Sequence, residues 1–387
     1  MNELNPVEKT LLITPEDSES ETDTDMNTDT DATTSEINLI NEGAYGCIYH
    51  PGIKCNGKLE NKRYITKIQK KNQTTENEWV ISRRIRKKIS TFRNYFAPIS
   101  KQCQVKIAQK YINDVKKCEV FRNETADTIA SKAYVSNKIR FLGNTTLDIY
   151  FERLNSAKIF FWKQLVHTHM RLLHGIHALL GADIIHMDIK GGNIMMDSQK
   201  HPIIIDFGIS VYRKTMKQAD AFYVYDTYSP WCFEIMVCNY IVRKTPWNDA
   251  PYKKVSEVEI DHLIHDFQYG VQSDSTNSVF SATMMHASSL EQFRKTLKTY
   301  MMAFIGTSWK TVYEELTRNT YSTWDTYALG VMFLKCIEKA KSTGISSNHV
   351  IAISKEYTEI LRDTVYVSPT NRLSVNETLA RLRKISV

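Results

Sequence analysis

The sequence has no run of about 18 apolar residues, the length that a membrane-spanning helix requires. Its first residues also lack the basic start and the apolar stretch of a secretory signal. Seven cysteines are present, but no two of them form a C-x-x-C pair. This absence argues against a zinc ribbon and against a disulfide framework. We therefore expect an intracellular protein with reduced thiols and no membrane contact.

Charge is distributed unevenly along the chain. Residues 1–36 contain eleven acidic side chains and one lysine, a net charge of −10, whereas the whole chain carries +7, so residues 37–387 carry +17. A segment with so little hydrophobicity and so much charge of one sign cannot offset the entropy of ordering, which predicts a disordered tail over residues 1–36. The basic remainder has no platform of interleaved aromatic and basic residues, which argues against a nucleic-acid partner.

Short strands precede long helices from residue 37 onward. Turn residues separate apolar stretches at 37–40, 47–49 and 64–68, which predicts strands of one antiparallel sheet. Helical periodicity dominates after residue 154. The pattern predicts an α+β protein with a strand-rich lobe over 37–154, a helical lobe over 155–387, and a cleft between them.

Two segments carry residues suited to phosphoryl transfer. Residues 186–193 read H-M-D-I-K-G-G-N, and D-F-G follows at 206–208. The reaction needs a group that orients the attacking hydroxyl and cations that neutralise phosphate charge. Asp188 can accept the proton of the hydroxyl, and Lys190 can offset charge on the transferred group.

Two further residues of these segments suit a metal ion. Asn193 and Asp206 offer the hard oxygen atoms that Mg²⁺ prefers. Together the segments resemble the catalytic loop and the D-F-G segment of the protein kinase superfamily. The resemblance implies ATP and Mg²⁺ as cofactors, Asp188 and Lys190 as catalytic residues, and Asn193 and Asp206 as metal ligands.

A candidate phosphate-binding loop lies in the first predicted hairpin. Residues 40–49 resemble the kinase glycine-rich loop. Asn41 stands at the position of the first glycine, where the turn can be kept because Asn tolerates positive φ better than most residues. Glycine lets backbone N–H groups approach phosphate without a Cβ in the way. The resemblance implies that nine consecutive residues bind the nucleotide: Ile40, Asn41, Glu42, Gly43, Ala44, Tyr45, Gly46, Cys47 and Ile48.

The same resemblance predicts a lysine that binds phosphate and an acidic partner for it. Lys67 lies on a predicted strand, on the same face as Ile65. Glu78 lies in a predicted helix, with isoleucines three and seven residues later, as in the kinase helix that carries this partner. Glu76 is the alternative partner, and Glu78 would then be an ordinary exposed acid near a helix start.

The connection between the lobes is predicted at residues 147–154, L-D-I-Y-F-E-R-L, which resemble the last strand and hinge of a kinase. By that resemblance Phe151 is the gatekeeper, and the backbone at Glu152 and Leu154 hydrogen-bonds adenine. Met195 would lie beneath the purine ring. The other interpretation of Met195 is an ordinary methionine of the core.

The second lobe continues the resemblance with changes. Residues 228–231, Y-S-P-W, take the place of the family's A-P-E, with Trp231 where glutamate is usual and Glu234 as its substitute. Asp325 resembles the buried aspartate that anchors the catalytic loop. Arg372 resembles the late arginine that pairs with the A-P-E glutamate.

Two departures bear on control and specificity. Met187 replaces an arginine that commonly pairs with a phosphorylated activation loop, so we expect activity without that phosphorylation. Residues 236–320 are a predicted helical insertion beside the expected peptide-binding face, where it could select substrates. Its His262 and His265 are spaced like a metal-binding pair, but no third ligand is evident, which favours a surface helix.

The resemblance identifies the chain as a member of the protein kinase superfamily. Lys190, two residues after Asp188, favours the serine/threonine type, and the divergent layout resembles kinases of large DNA viruses. The predicted reaction moves the γ-phosphate of Mg-ATP to a protein serine or threonine. The alternative is a pseudokinase that binds nucleotide as a scaffold, against which the retained Lys67, Asn193 and Asp206 argue. The sequence leaves the oligomeric state open.

Overall fold

Residues with high strand propensity near the start of the chain build one antiparallel sheet. The computed structural model describes residues 37–43, 46–216, 230–244, 250, 252–269, 287–342 and 347–385. The strands are β1 (Leu39–Gly43), β2 (Gly46–Tyr49), β3 (Tyr64–Gln69), β4 (Lys101–Lys106) and β5 (Ala133–Arg140). Their spatial order is β1-β2-β3-β5-β4. Every pair in this sheet is antiparallel, and the sequence predicts β1, β2 and β3 but neither β4 nor β5.

Helix α1 (Gln73–Lys88) packs against the sheet and starts at a well-formed cap. Asn72 Oδ1 accepts the N–H of Thr75 at 2.9 Å, and Thr75 Oγ1 accepts the N–H of Asn72 at 3.1 Å. These bonds satisfy two backbone donors at the helix start, which is worth about 1 kcal/mol. Three short helices fill the β4–β5 connection: α2 (Ile112–Val115), α3 (Glu119–Arg122) and α4 (Ala126–Ser131).

The second lobe is mainly helical. Its helices are α5 (Leu147–Glu152), α6 (Ile159–Gly181), α7 (Phe233–Lys244), α8 (Glu257–Tyr269), α9 (Ala287–Met302), α10 (Trp309–Asn319), α11 (Trp324–Ser342), α12 (Asn348–Val365) and α13 (Val375–Leu382). Strand β6 (Ile184–Ile185) pairs with β9 (Val211–Tyr212), and β7 (Ile194–Met196) pairs with β8 (Pro202–Ile204). The predicted bilobal α+β fold is confirmed. Within the described residues, no helix is both long enough and apolar enough to cross a bilayer.

Helix α11 is the central element of the second lobe. It is buried on nearly all sides, as its apolar sequence requires. Gly330 allows α12 to approach closely, because a Cβ there would lie 2.7 Å from Val365 Cγ2. This packing holds Asp325, at the N-terminal end of α11, in the interior beneath the cleft.

The predicted connection between the lobes is wrong. Residues 147–152 form helix α5, which Thr146 caps by accepting the N–H of Ile149. The link between β5 and the second lobe is therefore 141–146. Phe151 is not a gatekeeper, because it packs in the second-lobe core against Phe161 and Phe333.

The two adenine contacts assigned to this segment also fail. The backbone N–H of Leu154 donates to Phe151 O at 3.2 Å, so it serves the end of the helix. Glu152 lies on the exposed side of α5, where its carboxylate pairs with Lys339 at 2.8 Å. An apolar run that alternates with polar residues suits a strand or a short helix, and the Thr146 cap selects the helix.

Helices α7 to α10 occupy most of the segment predicted as a helical insertion. Their apolar faces belong to the core of the second lobe, where Trp309 and Leu316 are fully buried. The hydroxyl of Tyr313 donates to Met216 O at 2.7 Å, which ties α10 to the segment after β9. These helices therefore build the lobe itself, and their role in substrate selection stays a prediction. His262 and His265 are exposed, and both lie near Asp266.

The expectation of reduced thiols is wrong for four of the cysteines. Cys47 bonds to Cys118, and Cys55 bonds to Cys103. The partners are 71 and 48 residues apart, so local spacing gave no sign of the pairs. Both disulfide bonds lie within the strand-rich lobe. The Cys47–Cys118 bond joins β2 to the residue that precedes α3. Cys232, Cys238 and Cys336 are free thiols.

His169 makes the stability of the second lobe sensitive to acid. Its ring is buried in α6, Nδ1 lies 3.0 Å from the Tyr357 hydroxyl, and Phe333 stacks on it. Burial lowers the pKa of His169 to about 3. The unfolded value is about 6.5, so protonation favours the unfolded chain as the pH falls below 6.5. Between pH 6.5 and 5 this linkage removes up to about 2 kcal/mol of stability.

We expect His169→Asn to remove this acid dependence. Asparagine keeps a polar group near the Tyr357 hydroxyl but does not titrate. Urea unfolding at pH 7 and pH 5 should show about 2 kcal/mol less acid loss for the variant than for the wild type. His167→Asn changes an exposed histidine of the same helix and serves as the control. Equal acid losses in wild type and His169→Asn would contradict the prediction.

Candidate active site

The catalytic-loop residues singled out in the sequence form one hydrogen-bonded cluster. Asn193 Nδ2 donates to Asp188 Oδ2 at 2.7 Å. Lys190 Nζ lies 3.0 Å from Asp188 Oδ1. Asp188 is 9% exposed, so its carboxylate is largely enclosed but reachable from one side. A carboxylate in this position can orient a hydroxyl and accept its proton.

Asp325 fixes the backbone of this loop from below, as its resemblance to the kinase anchor predicts. Its carboxylate accepts the N–H of His186 at 2.7 Å and that of Met187 at 2.9 Å. Met187 has a φ of 68°, a left-handed conformation that costs a non-glycine residue of order 1 kcal/mol. The two bonds to Asp325 hold this strained turn in place. Burial raises the pKa of Asp325, and the two N–H donors oppose that rise.

His186 connects the catalytic loop to the D-F-G segment. The N–H of Asp188 donates to His186 Nδ1 at 3.2 Å, so Nδ1 is the acceptor and Nε2 carries the proton. Nε2 lies 3.0 Å from Ile205 O, to which it therefore donates. The ring also packs edge-on against Phe207, which in turn contacts Phe96. The positions of Asp188 and Asp206 are thus coupled through buried side chains.

Trp231 is a supporting residue whose role the sequence did not reveal. Its indole Nε1–H donates to Met187 O at 2.6 Å, in a buried position. The peptide unit before Asp188 is therefore held at its carbonyl by Trp231 and at its N–H by His186. Glu234 makes the ion pair with Arg372, as its predicted role in place of the A-P-E glutamate requires. Residues 228 and 229 lie outside the described residues.

We expect Trp231→Phe to loosen the catalytic loop. Phenylalanine keeps most of the ring packing but leaves Met187 O without its donor, which costs about 1–3 kcal/mol of stability. We also expect kcat to fall about tenfold, because a shift of the peptide moves Asp188 from its productive position. Steady-state kinetics and urea unfolding measure the two effects.

A second tryptophan provides the matched control for that change. Trp309 is fully buried, and its Nε1 hydrogen-bonds to none of the described residues. Trp309→Phe therefore removes a similar ring area without breaking a hydrogen bond. The prediction is wrong if Trp309→Phe lowers kcat as much as Trp231→Phe does.

Lys67 pairs with Glu78, and Glu76 is excluded as its partner. Lys67 Nζ lies 3.1 Å from Glu78 Oε2 and 3.3 Å from Asp206 Oδ1. Glu78 is 2% exposed, whereas Glu76 is an exposed residue that pairs with Lys71. The pair joins β3 to α1, and Asn77 Nδ2 strengthens the same contact by donating to Gly208 O at 2.9 Å.

Burial and shared charge shift the pKa values of this triad. Burial alone would lower the pKa of Lys67, but the carboxylates of Glu78 and Asp206 raise it above its ordinary value. Burial raises the pKa of Glu78 to about 7 against the opposing attraction of Lys67. The pKa of Asp206 is lowered, because Lys67 and the Gly208 N–H outweigh its burial. Lys67 is thus a fixed cation at the cleft, and Asp206 is a fixed anion.

Asn193 and Asp206 are neighbours at the end of the β7–β8 hairpin. The N–H of Ile205 donates to Asn193 O at 3.0 Å, which brings the two candidate metal ligands to adjacent positions. Asn193 uses Nδ2 to hold Asp188, so Oδ1 is the side-chain atom that could bind a metal ion. One amide oxygen and one carboxylate match the preference of Mg²⁺ for hard oxygen ligands. The residues present therefore fit a magnesium ion.

The glycine-rich segment forms the predicted hairpin of β1 and β2. Gly46 must be glycine here, because a Cβ would collide with the side chain of Gln69 and the carbonyl of Ile68. Cys47 is tied to Cys118, and Glu42 Oε2 accepts the N–H of Glu119 at 2.9 Å. The hairpin is therefore anchored to α3.

The nucleotide contacts assigned to this hairpin stay predictions. Ala44 and Tyr45, which follow β1 in the sequence, lie outside the described residues. Ile40 and Ile48 lie on β1 and β2, and Asn41 Oδ1 accepts the N–H of Glu42 at 2.9 Å.

Met195 lies where β7 meets the connection between the lobes. It forms an isolated bridge with Thr146, and the N–H of Met196 donates to Thr145 O at 2.8 Å. Met195 is half-buried rather than part of the closed core. Its place beneath a purine ring stays a prediction.

A two-lobed fold with a buried lysine–carboxylate pair and an H-x-D-x-K-x-x-N loop is that of a phosphotransferase of the kinase type. The family model of the protein kinase domain matches residues 35–232, just over half of the chain, so the chain belongs to the protein kinase family. A search of curated proteins found no match to the chain. The family match ends before α7, so helices α7 to α13 lie beyond it.

Proposed function

We propose that this kinase transfers the γ-phosphoryl group of Mg-ATP to serine or threonine hydroxyls of a protein. The observation that carries the proposal is the intact cluster of Asp188, Lys190 and Asn193. Lys190 lies two residues after Asp188, the arrangement that favours hydroxyls of serine and threonine over tyrosine. The buried Lys67–Glu78 pair supports the same conclusion, because it places a permanent cation at the cleft.

The chemistry follows from the positions of these side chains. Asp188 orients the acceptor hydroxyl and takes its proton as the oxygen attacks phosphorus. Lys190 offsets negative charge beside Asp188, and Asn193 keeps the carboxylate in one orientation. Mg²⁺, when bound, neutralises charge on the phosphates, and Asn193 and Asp206 would hold it. Adenine is assigned to the connection at 141–146 in place of the segment first predicted.

Radiolabelled ATP with a mixture of protein acceptors tests the proposal. We expect the wild type to label serine and threonine, as identified by acid hydrolysis and separation of the phosphoamino acids. Lys67→Ala should reduce labelling to background, because the cation at the cleft is lost. Equal labelling of both proteins at background level would favour a nucleotide-binding scaffold, and labelled tyrosine alone would contradict the assigned acceptor.

A further inference from the structure

A cavity of about 380 Å³ lies beside the catalytic loop, away from the lysine–carboxylate triad. Its size is near the lower end of the range for ligand pockets, roughly 300 Å³, which suits one or two side chains better than a large ligand. Five large apolar side chains belong to its lining: Phe151, Leu154, Phe161, Val331 and Met332. They come from α5, α6 and α11 and from the loop after α5. The cavity is thus built on rigid helices of the second lobe.

One wall of the cavity is the catalytic loop itself. Lys190 and Gly191 line it, and Pro230 lies on the same side. Lys190 Nζ is 3.0 Å from Asp188 Oδ1, so the side chain that lines the cavity also contacts the carboxylate proposed to receive the acceptor hydroxyl.

The charges at the rim of the cavity largely neutralise one another. Glu152 pairs with Lys339 at 2.8 Å. Asp148 and Lys335 attract each other across the same rim. Lys190, the third lysine of the lining, pairs with Asp188 at 3.0 Å, so each lysine of the lining faces a carboxylate. The five apolar side chains of the lining therefore determine which kind of side chain the cavity accepts.

We propose that this cavity receives a large apolar side chain, such as leucine, methionine or phenylalanine, located within a few residues of the phosphorylated residue of the substrate. The inference rests on the proposed function, because it requires an acceptor at Asp188. It adds the substrate class, a segment with an apolar anchor beside its serine or threonine. Burying that anchor contributes to both binding and alignment of the hydroxyl.

A peptide series with one serine tests the inference. Leucine is placed in turn at each position from four residues before to four residues after the serine, in an otherwise alanine- and glycine-based sequence. We expect kcat/KM to rise about 10- to 100-fold at one position relative to the alanine peptide. Lysine, arginine or glutamate at that position should give no such rise. A preference for a charged side chain, or a flat series, overturns the inference.

Variants connect the preference to the cavity. Leu154→Glu and Cys336→Phe alter the lining from opposite sides, the first by charge and the second by filling. We expect both to reduce the leucine-to-alanine ratio of kcat/KM to roughly threefold or less, since the apolar anchor is then excluded. This ratio does not depend on the fraction of folded enzyme. Phe160→Glu changes an exposed residue outside the lining and should keep the wild-type ratio.

The outcomes separate the two proposals. An unchanged ratio in both cavity variants overturns the cavity inference but leaves phosphorylation of serine or threonine intact. Absence of labelling for every peptide and for protein acceptors overturns both proposals. A normal ratio in Phe160→Glu, with loss in the two cavity variants, supports the cavity as the site of the apolar anchor.

Discussion

Replacing Asp188 with asparagine is expected to lower kcat for protein phosphorylation by about 10²–10⁴-fold, the contribution of a positioned general base. Asparagine has the same shape, so the surrounding packing is kept. It cannot accept the hydroxyl proton, and it no longer attracts Lys190, which lies 3.0 Å from the carboxylate. Asn193 Nδ2 would also meet a weaker acceptor than a carboxylate oxygen. Initial rates at saturating ATP and peptide measure the loss.

Nucleotide binding should survive this change, because Lys67 and Asp206 remain. Displacement of a fluorescent nucleotide analogue measures the affinity independently of turnover. Asp197→Asn is the matched control, since Asp197 lies in the β7–β8 turn and accepts the N–H groups of Gln199 and His201 at 2.9 and 2.8 Å. Asparagine retains that acceptor oxygen, so kcat should change little. A loss of less than about tenfold in Asp188→Asn would exclude general-base catalysis by this residue.

The catalytic cluster could be predicted from the sequence because its members are close along the chain. Asp188, Lys190 and Asn193 lie within six residues, so a single loop brings them together whatever the rest of the fold does. Lys67 and Glu78 are joined by one strand and one helix, whose periodicities give the direction of each side chain. The resemblance to kinases then assigned the roles of Lys67 and Glu78, because the local pattern alone left Glu76 as an alternative partner.

Contacts between distant segments were not predictable in the same way. The sequence predicts neither β4 nor β5, which α2 to α4 separate, and the resemblance places the last strand and the hinge at 147–154 instead. The bond between Cys47 and Cys118 and the contact of Trp231 with Met187 O depend on how separate elements pack. Such contacts are set by tertiary structure and leave no periodic signal in one sequence.

Glu234 and Arg372 illustrate a long-range contact that motif order did reveal, and it carries the largest expected effect on stability. Both side chains are fully buried, and Arg372 Nη2 donates to Glu234 Oε2 at 2.8 Å. The guanidinium also lies 4.7 Å from the centre of the Tyr327 ring. The pair links the N-terminal turn of α7 to the segment before α13, across the base of the second lobe.

Glu234→Gln is expected to lower the free energy of unfolding by about 3–5 kcal/mol, because it leaves the buried guanidinium without a compensating charge. Replacing both partners, Glu234→Leu with Arg372→Met, should restore most of that loss, since no buried charge then remains. Urea titrations give the free energies. Asp363→Asn is the matched control: it breaks an acid–arginine pair with Arg381 in which both side chains are 46% exposed, and should cost at most about 1 kcal/mol. Equal losses from Glu234→Gln and Asp363→Asn would mean that burial does not determine the strength of the Glu234–Arg372 contact.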